Sequence, residues 1–194
     1  LRDLLNSAGF DEVKTYSFYG PDELKGFSCK GEDHFELQNP MNPDQQYMRR
    51  DLLPRLLQSL QKNLTHMDKV AFFELGAIFL PSSGAMPQEQ TQLVVVASGE
   101  KNAVMKLLGV FHFITDSLGI PKYAIKIEPT QDSARIFING LEAGEIGMVE
   151  QGLLGPRKIL SPTTFWRCDP KVIFQACQKT HFVPFSQGTS QIGY

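Results

Sequence analysis

The sequence predicts an α+β domain: a mostly antiparallel sheet flanked by helices. Three observations carry this. The elements run helix, strands, helix, strands, helix, hairpin, strand, helix, so strands follow one another and no βαβ repeat forms. Asn139-Gly140 joins two strand-like runs and is the strongest turn signal in the chain. A leucine stripe after Leu53 has helical period, whereas "KVAFFELGAIFL" after it is a nearly continuous apolar strand. The helices are expected on one side of the sheet.

In chain order, Leu1, Leu4, Leu5 and Ala8 recur at helical spacing and Gly9 stops the helix. "DEVKTYSFYG" is rich in β-branched and aromatic residues and reads as a strand. "GPDELKGF" is a short helix, with Pro21 in its first turn and Asp22 and Glu23 at its positive end. "HFELQNP" reads as a further strand. Asn39-Pro40 and Asn42-Pro43 disfavour helix at each asparagine, so 39–43 must be extended or turned. Asp51 suits a helix cap and Pro54 a first turn. Leu53, Leu56, Leu57, Leu60 and Leu64 then form one apolar face, with Arg55, Gln58, Gln61 and Lys62 opposite.

After the apolar strand, "PSSGAMPQEQ" reads as a loop and "TQLVVVASG" as a buried strand. Val104, Leu107, Leu108, Phe111, Ile114 or Thr115, and Leu118 give a long helix stopped by Gly119. "KYAIKIEP" is a strand, "SARIFINGLEAGEIGMV" a hairpin, and "TTFWRCD" another strand. Asp169 caps a last helix that begins with Pro170. Residues 1–180 read as one core domain. Residues 181–194 lack any period and read as an irregular tail or the start of a linker.

Composition narrows the function classes. The 194 residues are 42% hydrophobic and 21% charged, with a net charge of −2, which is ordinary globular composition. No global positive field draws in a polyanion, which weighs against a free-standing, non-specific nucleic-acid binder. Arg49, Arg50, Arg55 and Lys62 read as a solvated helix face. Cys29, Cys168 and Cys177 are odd in number and never in a C-x-x-C pair, which points to a reducing compartment and away from zinc or a disulfide framework. No apolar run approaches the ~20 residues that span a bilayer. The start, "LRDLLNSAGF", has no signal-peptide layout and no initiator Met, and the chain reads as a domain cut from a longer cytosolic protein.

The residues assemble no catalytic set. His34, His66, His112 and His181 share no metal spacing, and His112 reads as a core or boundary histidine. Phosphate loops, dinucleotide fingerprints and nucleophile elbows are absent. Glu74 lies among apolar neighbours on a central strand, where it either reaches a solvated face, accepts from backbone donors or faces a pocket. Arg135 is either an exposed strand arginine or a substrate clamp. No nucleophile, base and charge stabiliser come together.

Several motifs in order resemble a known family. "LRDLLNSAGFDEVKTYSF" is similar to the start of the catalytic-like domain of bacterial phenylalanyl-tRNA synthetase beta chains. The family's Asn-Pro, Met-Arg, Leu-Leu-Pro and Leu-Leu run is met by Asn39-Pro40, Asn42-Pro43, Met48-Arg49, Leu52-Leu53-Pro54 and Leu56-Leu57, with Asn63 further along. Phe-Glu-x-Gly-x-x-Phe is met by Phe73, Glu74, Gly76 and Phe79, and "SARIFINGLEAGEIGMV" resembles the closing hairpin. The family's Pro-Gly-Arg before Ser-Ala is "PTQD" here, its His-Pro after the hairpin is "EQGLLG", and its Asp-Leu-Lys-Gly is "AVMKLLG".

The resemblance, which spans roughly Leu1 to Lys179, implies a class II synthetase-like fold that does not catalyse. The arginine-bearing motifs that hold ATP are missing, because the Leu53–Leu64 helix passes through "THMDK" straight into "AFFELG". It implies a supporting role in a cytoplasmic heterotetramer with the catalytic alpha chain, which charges tRNA(Phe) using ATP and Mg²⁺. This chain itself would need no cofactor. On this reading the surface that meets the alpha chain is built from Asn39, Pro40, Asn42, Pro43, Arg49, Leu53, Pro54, Leu56, Leu57 and Leu60, with Arg49 fixing the loop through carbonyls or carboxylates. An apolar stripe left bare would make the isolated domain self-associate, and glutamate at Leu57 and Leu60 would give folded monomers. The alternative is a stand-alone small-ligand binder or adenylate-forming paralogue that uses a pocket near Glu74 and Arg135.

Overall fold

The computed structural model describes residues 1–26, 30–82, 86–100 and 102–178. The tail from 181 and Cys29 lie outside the described residues. Seven strands form one sheet in the order β1-β4-β5-β9-β8-β7-β6. These are β1 (Asp11–Glu12), β4 (Val70–Leu80), β5 (Gln88–Ser98), β6 (Ile125–Pro129), β7 (Ser133–Ile138), β8 (Leu141–Met148) and β9 (Thr163–Cys168). Every pairing is antiparallel except β1 on β4. The α+β expectation is met. β5 begins three residues earlier than the loop reading implied, because Gln88–Gln90 continue the ladder against Ile78–Leu80.

The helices lie on both faces rather than one. α1 (Arg2–Ser7), α4 (Ala103–Ser117) and α6 (Pro170–Gln178) cover one face. There Phe73, Leu93, Val95, Ile146 and Trp166 meet Leu5, Leu107, Phe111, Ile114 and Ile173 in one buried core. Phe111 stands edge-on to Trp166 at 5.5 Å between ring centroids. On the opposite face, α3 (Leu53–Leu64) packs its leucine stripe on Phe72, Ile78, Val94, Val96 and Phe165. Strand alternation sends odd and even residues of β4 and β5 into the two cores.

At the β7–β8 hairpin, Asn139 (φ 51°) and Gly140 (φ 78°) both take the left-handed conformation that a two-residue turn requires.

The expected strand 11–20 is broken. Only β1 and β2 (Phe18–Tyr19) pair as strands: Val13 N still bonds Phe73 O on β4, but beyond it the Thr15 and Ser17 carbonyls turn to Arg49. β2 pairs with β3 (Tyr47–Met48), and the expected strand at 34–38 is reduced to a single bridge, Glu36 to Tyr47. α2 (Pro21–Gly26) sits beside this small sheet, and the one-turn α5 (Gln151–Leu154) follows β8. His34 is buried edge-on between Tyr19 and Tyr47, with centroids at 5.9 and 6.5 Å. Burial pushes its pKa below the ordinary histidine value, although Nδ1 bonds Lys30 O at 3.1 Å. The unfolded chain therefore binds a proton that the folded chain refuses between the depressed pKa and about 6.5. Stability is expected to be full above pH 6.5 and to fall as pH drops through that window. Urea melts between pH 5 and 7.5 test this: His34→Phe should flatten the slope over that range, and an unchanged slope would remove His34 as its cause.

Candidate functional site

In an antiparallel ladder, directly paired residues share a face. Register therefore sets Glu74, Val94, Arg167, Glu145, Arg135 and Glu128 in one row across the sheet. All point to the α3 side. α3 covers only the β4–β5 half of that side, so the row runs from a buried end at Glu74 to an open end at Arg135.

The buried end is an ion pair. Arg49 and Glu74 are 4% and 2% exposed, and Arg49 Nη1 meets Glu74 Oε1 at 2.8 Å. Arg49 Nε donates to Ala77 O at 2.8 Å, and Nη1 also reaches Thr15 O and Oγ1 at 3.3 and 3.1 Å. Glu74 accepts from Thr15 N and Oγ1 at 3.3 and 2.7 Å. Arg49's own backbone bonds Ser17 O and Phe79 N. One guanidinium thus ties three chain segments together, and a β-carbon at Gly76 would lie 2.6 Å from its Nη2. Arg50, its neighbour, is half-buried and donates to Asp33 O at 2.8 Å.

In the middle, Arg167 is held between Asp51 and Glu145, the latter at 2.7 Å. Burial lowers its pKa, but the two carboxylates outweigh that and hold it above the ordinary value. Asp51 also accepts from Leu53 N at 3.0 Å, but it lies one residue before the N-cap of α3, which is Leu52 rather than the expected Asp51. At the open end, Arg135 pairs with Glu142 and lies 5.2 Å over the Phe137 ring. The hydrogen bond from Arg135 draws the Glu142 carboxyl below its ordinary pKa.

Two concavities flank Arg167. One, of about 500 Å³, lies over β8 and β9 and is lined by Asp132, Glu145, Glu150, Phe165 and Arg167 among others. The other, of about 250 Å³, includes Glu142, Glu145, Asp169 and the same Arg167. Carboxylates outnumber cations in both, and Arg167 is the one cation lining either. A nucleoside triphosphate needs the reverse. Among the described residues, no group of three His, Cys, Asp or Glu could hold a metal ion.

Each predicted site residue now has a place. Glu74 and Arg135 do not converge: four inter-strand steps of about 4.8 Å separate β4 from β7. The pocket expected near them does not form, and Glu74 takes the internally bonded option. Leu53, Leu56, Leu57 and Leu60 are 6%, 0%, 0% and 0% exposed within this chain alone. The bare apolar stripe is therefore corrected, because the helix spends it on β4 and β5 of its own sheet. Arg49 is likewise interior, and Pro54 is half-buried. Asn39, Asn42 and Pro43 are exposed, Pro40 partly so, and Met41 at the loop tip is 100% exposed. Asn42 Oδ1 accepts from Asp44 N at 3.0 Å and stiffens the turn. Sequence reasoning missed Arg167 and Asp51 as partners, since 116 residues separate them and no local spacing signals the contact.

Comparison with known proteins agrees with this architecture. Residues 1–169 match the family model described as the phenylalanyl tRNA synthetase beta chain CLM domain. The phenylalanine–tRNA ligase beta subunit of Thermotoga maritima is 26% identical over 195 residues, which covers 92% of this chain and 24% of that protein. Its counterpart in Rickettsia typhi is 40% identical over 100 residues, covering 51% of this chain and 12% of that one. The chain thus spans a quarter or less of the length of these relatives. A solved structure of pyrrolysyl tRNA synthetase from Desulfitobacterium hafniense superposes with a TM-score of 0.73 at 19% identity, over 92% of this chain and 66% of that one. The fold is class II synthetase-like.

Proposed function

The chain belongs to the phenylalanyl-tRNA synthetase beta chain family, as its CLM domain, and from that premise we propose that it is a non-catalytic core that assembles with the catalytic alpha chain. The observation that carries the proposal is the state of the open sheet face. Its guanidinium groups, Arg167 and Arg135, are each already held by carboxylates, and the clefts beside them are acidic. Amino-acid activation needs cations free to take up phosphate and developing negative charge. In this reading ATP and Mg²⁺ bind the alpha chain, tRNA(Phe) is charged by the whole complex, and the complex works in the cytoplasm. No described helix is long and apolar enough to cross a membrane.

The surface offered to the alpha chain is the stiffened turn Asn39–Pro43 with Met41 at its tip. Arg49 does not touch the partner in this reading. It fixes the strands from which the turn springs.

Co-expression with an alpha chain of phenylalanine–tRNA ligase, followed by size-exclusion chromatography with light scattering, tests the assembly. A mixed complex is expected, weakened by Met41→Glu without loss of folding. Failure to co-elute would count against the assembly role. Phenylalanine-dependent ATP–pyrophosphate exchange by the isolated chain would overturn the non-catalytic reading.

A further inference from the structure

The outer face of α4 carries a narrow apolar stripe between polar edges, with Lys106, Asp116 and Ser117 exposed beside it. Met105 and Phe113 are 66% and 44% exposed, and they flank Gly109 at i−4 and i+4. At about 100° per residue these three fall on one stripe, with the large side chains about 6 Å either side of the glycine. Gly109 is exposed, and a β-carbon there would meet nothing within 4 Å. The opposite face of the same helix is already buried through Leu107, Val110, Phe111 and Ile114. Large apolar side chains left exposed on a helix whose other face is already buried mark a second contact surface.

We propose that α4 is a self-association surface, and that its partner is a second copy of this chain, crossed antiparallel with Gly109 on the two-fold axis. The stripe reads large, small, large in both directions, so it is complementary to itself under that operation. The glycines permit a close crossing. Each Phe113 is brought beside the partner's Met105, at the mouth of a cleft of about 600 Å³ lined by Ala103, Val104, Met105, Met148 and Pro162. Charge fits the same arrangement. Asp116 lies in the last turn of α4, where the helix has no basic residue and an acid is unfavourable. The two-fold carries it to the start of the partner's α4, where Lys106, bonded to Glu100 at 2.9 Å within each chain, is the cation within reach. A specific interface needs about 1,000 Å² in total. The flanking cleft extends the contact beyond the helix, where Met148 is 40% exposed.

This surface is distinct from the α3 stripe and from the Asn39–Pro43 turn, and the proposal does not depend on the alpha-chain reading. Sedimentation equilibrium of the purified chain should give twice the monomer mass of 21.8 kDa. Gly109→Glu should return it to the monomer mass while raising the melting temperature of the monomer slightly, because glutamate is the better helix former. With Cys29 and Cys177 changed to serine, Gly109→Cys should oxidise to a disulfide-linked dimer, since the two thiols would meet on the axis. A monomeric wild-type chain overturns the proposal. So does a dimer that Gly109→Glu leaves intact, or a monomer whose binding to the alpha chain is lost in Gly109→Glu. The last result would assign the face to a different partner.

Discussion

Leu57→Glu is expected to leave the chain unfolded at 25 °C, and Leu57→Ala to lower its unfolding free energy by about 2–5 kcal/mol. Leu57 is 0% exposed and packs with Leu56, Leu60, Val94 and Val96 between α3 and the sheet. Truncation removes the transfer free energy of the buried methyl groups and leaves a cavity that β4 and β5, locked in an eleven-residue ladder, cannot close. A carboxylate at the same place has no cation or donor waiting for it. Its desolvation exceeds what a domain with about 5–15 kcal/mol of total stability can absorb. Urea denaturation followed by circular dichroism gives the alanine value, and the glutamate variant should show no cooperative transition. A Leu57→Glu chain that melts like the parent and differs only in its assembly state would mean that α3 lies outside the core.

The same residue shows what was legible in the sequence. Period alone gave the helix, its apolar face and its start at Leu53, and the hairpin at Asn139-Gly140 was as clear. Period does not say what an apolar face packs against. The stripe looked available to a partner because the strands that bury it, β4 and β5, follow it in sequence and Phe72, Ile78, Val94 and Val96, which face it, sit among equally apolar odd-numbered neighbours. Their long apolar runs hide the alternation between two covered faces. Glu74 was marked as an odd acid on a central strand, but its counter-charge comes from 25 residues upstream, in a segment that read as the start of a surface helix. The Asp51–Arg167–Glu145 set joins the approach to α3 to two strands of the far half of the sheet, a juxtaposition made only by topology. Local chemistry was readable in the sequence, whereas long-range charge pairing was not.

Arg49→Met is expected to destabilise the fold by about 3–5 kcal/mol, and Glu74→Gln to approach that cost, because each leaves a buried charge without its partner. The loss extends beyond the pair. Removing the guanidinium also strands Ala77 O and the Thr15 carbonyl as partly buried acceptors. Arg49→Met together with Glu74→Leu should recover a large part of the deficit, since neither charge then remains. Gly76 supplies the discriminating measurement. Its missing β-carbon leaves room for Arg49 Nη2, which would otherwise sit 2.6 Å away. That nitrogen belongs to a group pinned by Ala77, Thr15 and Glu74, so it cannot swing aside as a free arginine would. Gly76→Ala should therefore be costly in the parent and nearly silent in Arg49→Met/Glu74→Leu, a coupling that a double-mutant cycle reads directly. Additive costs would mean that Gly76 is needed for its backbone alone. A strong coupling would explain why a methionine-arginine step and a Phe-Glu-x-Gly strand occur together here: they are two halves of one buried contact that sets the base of the Asn39–Pro43 turn.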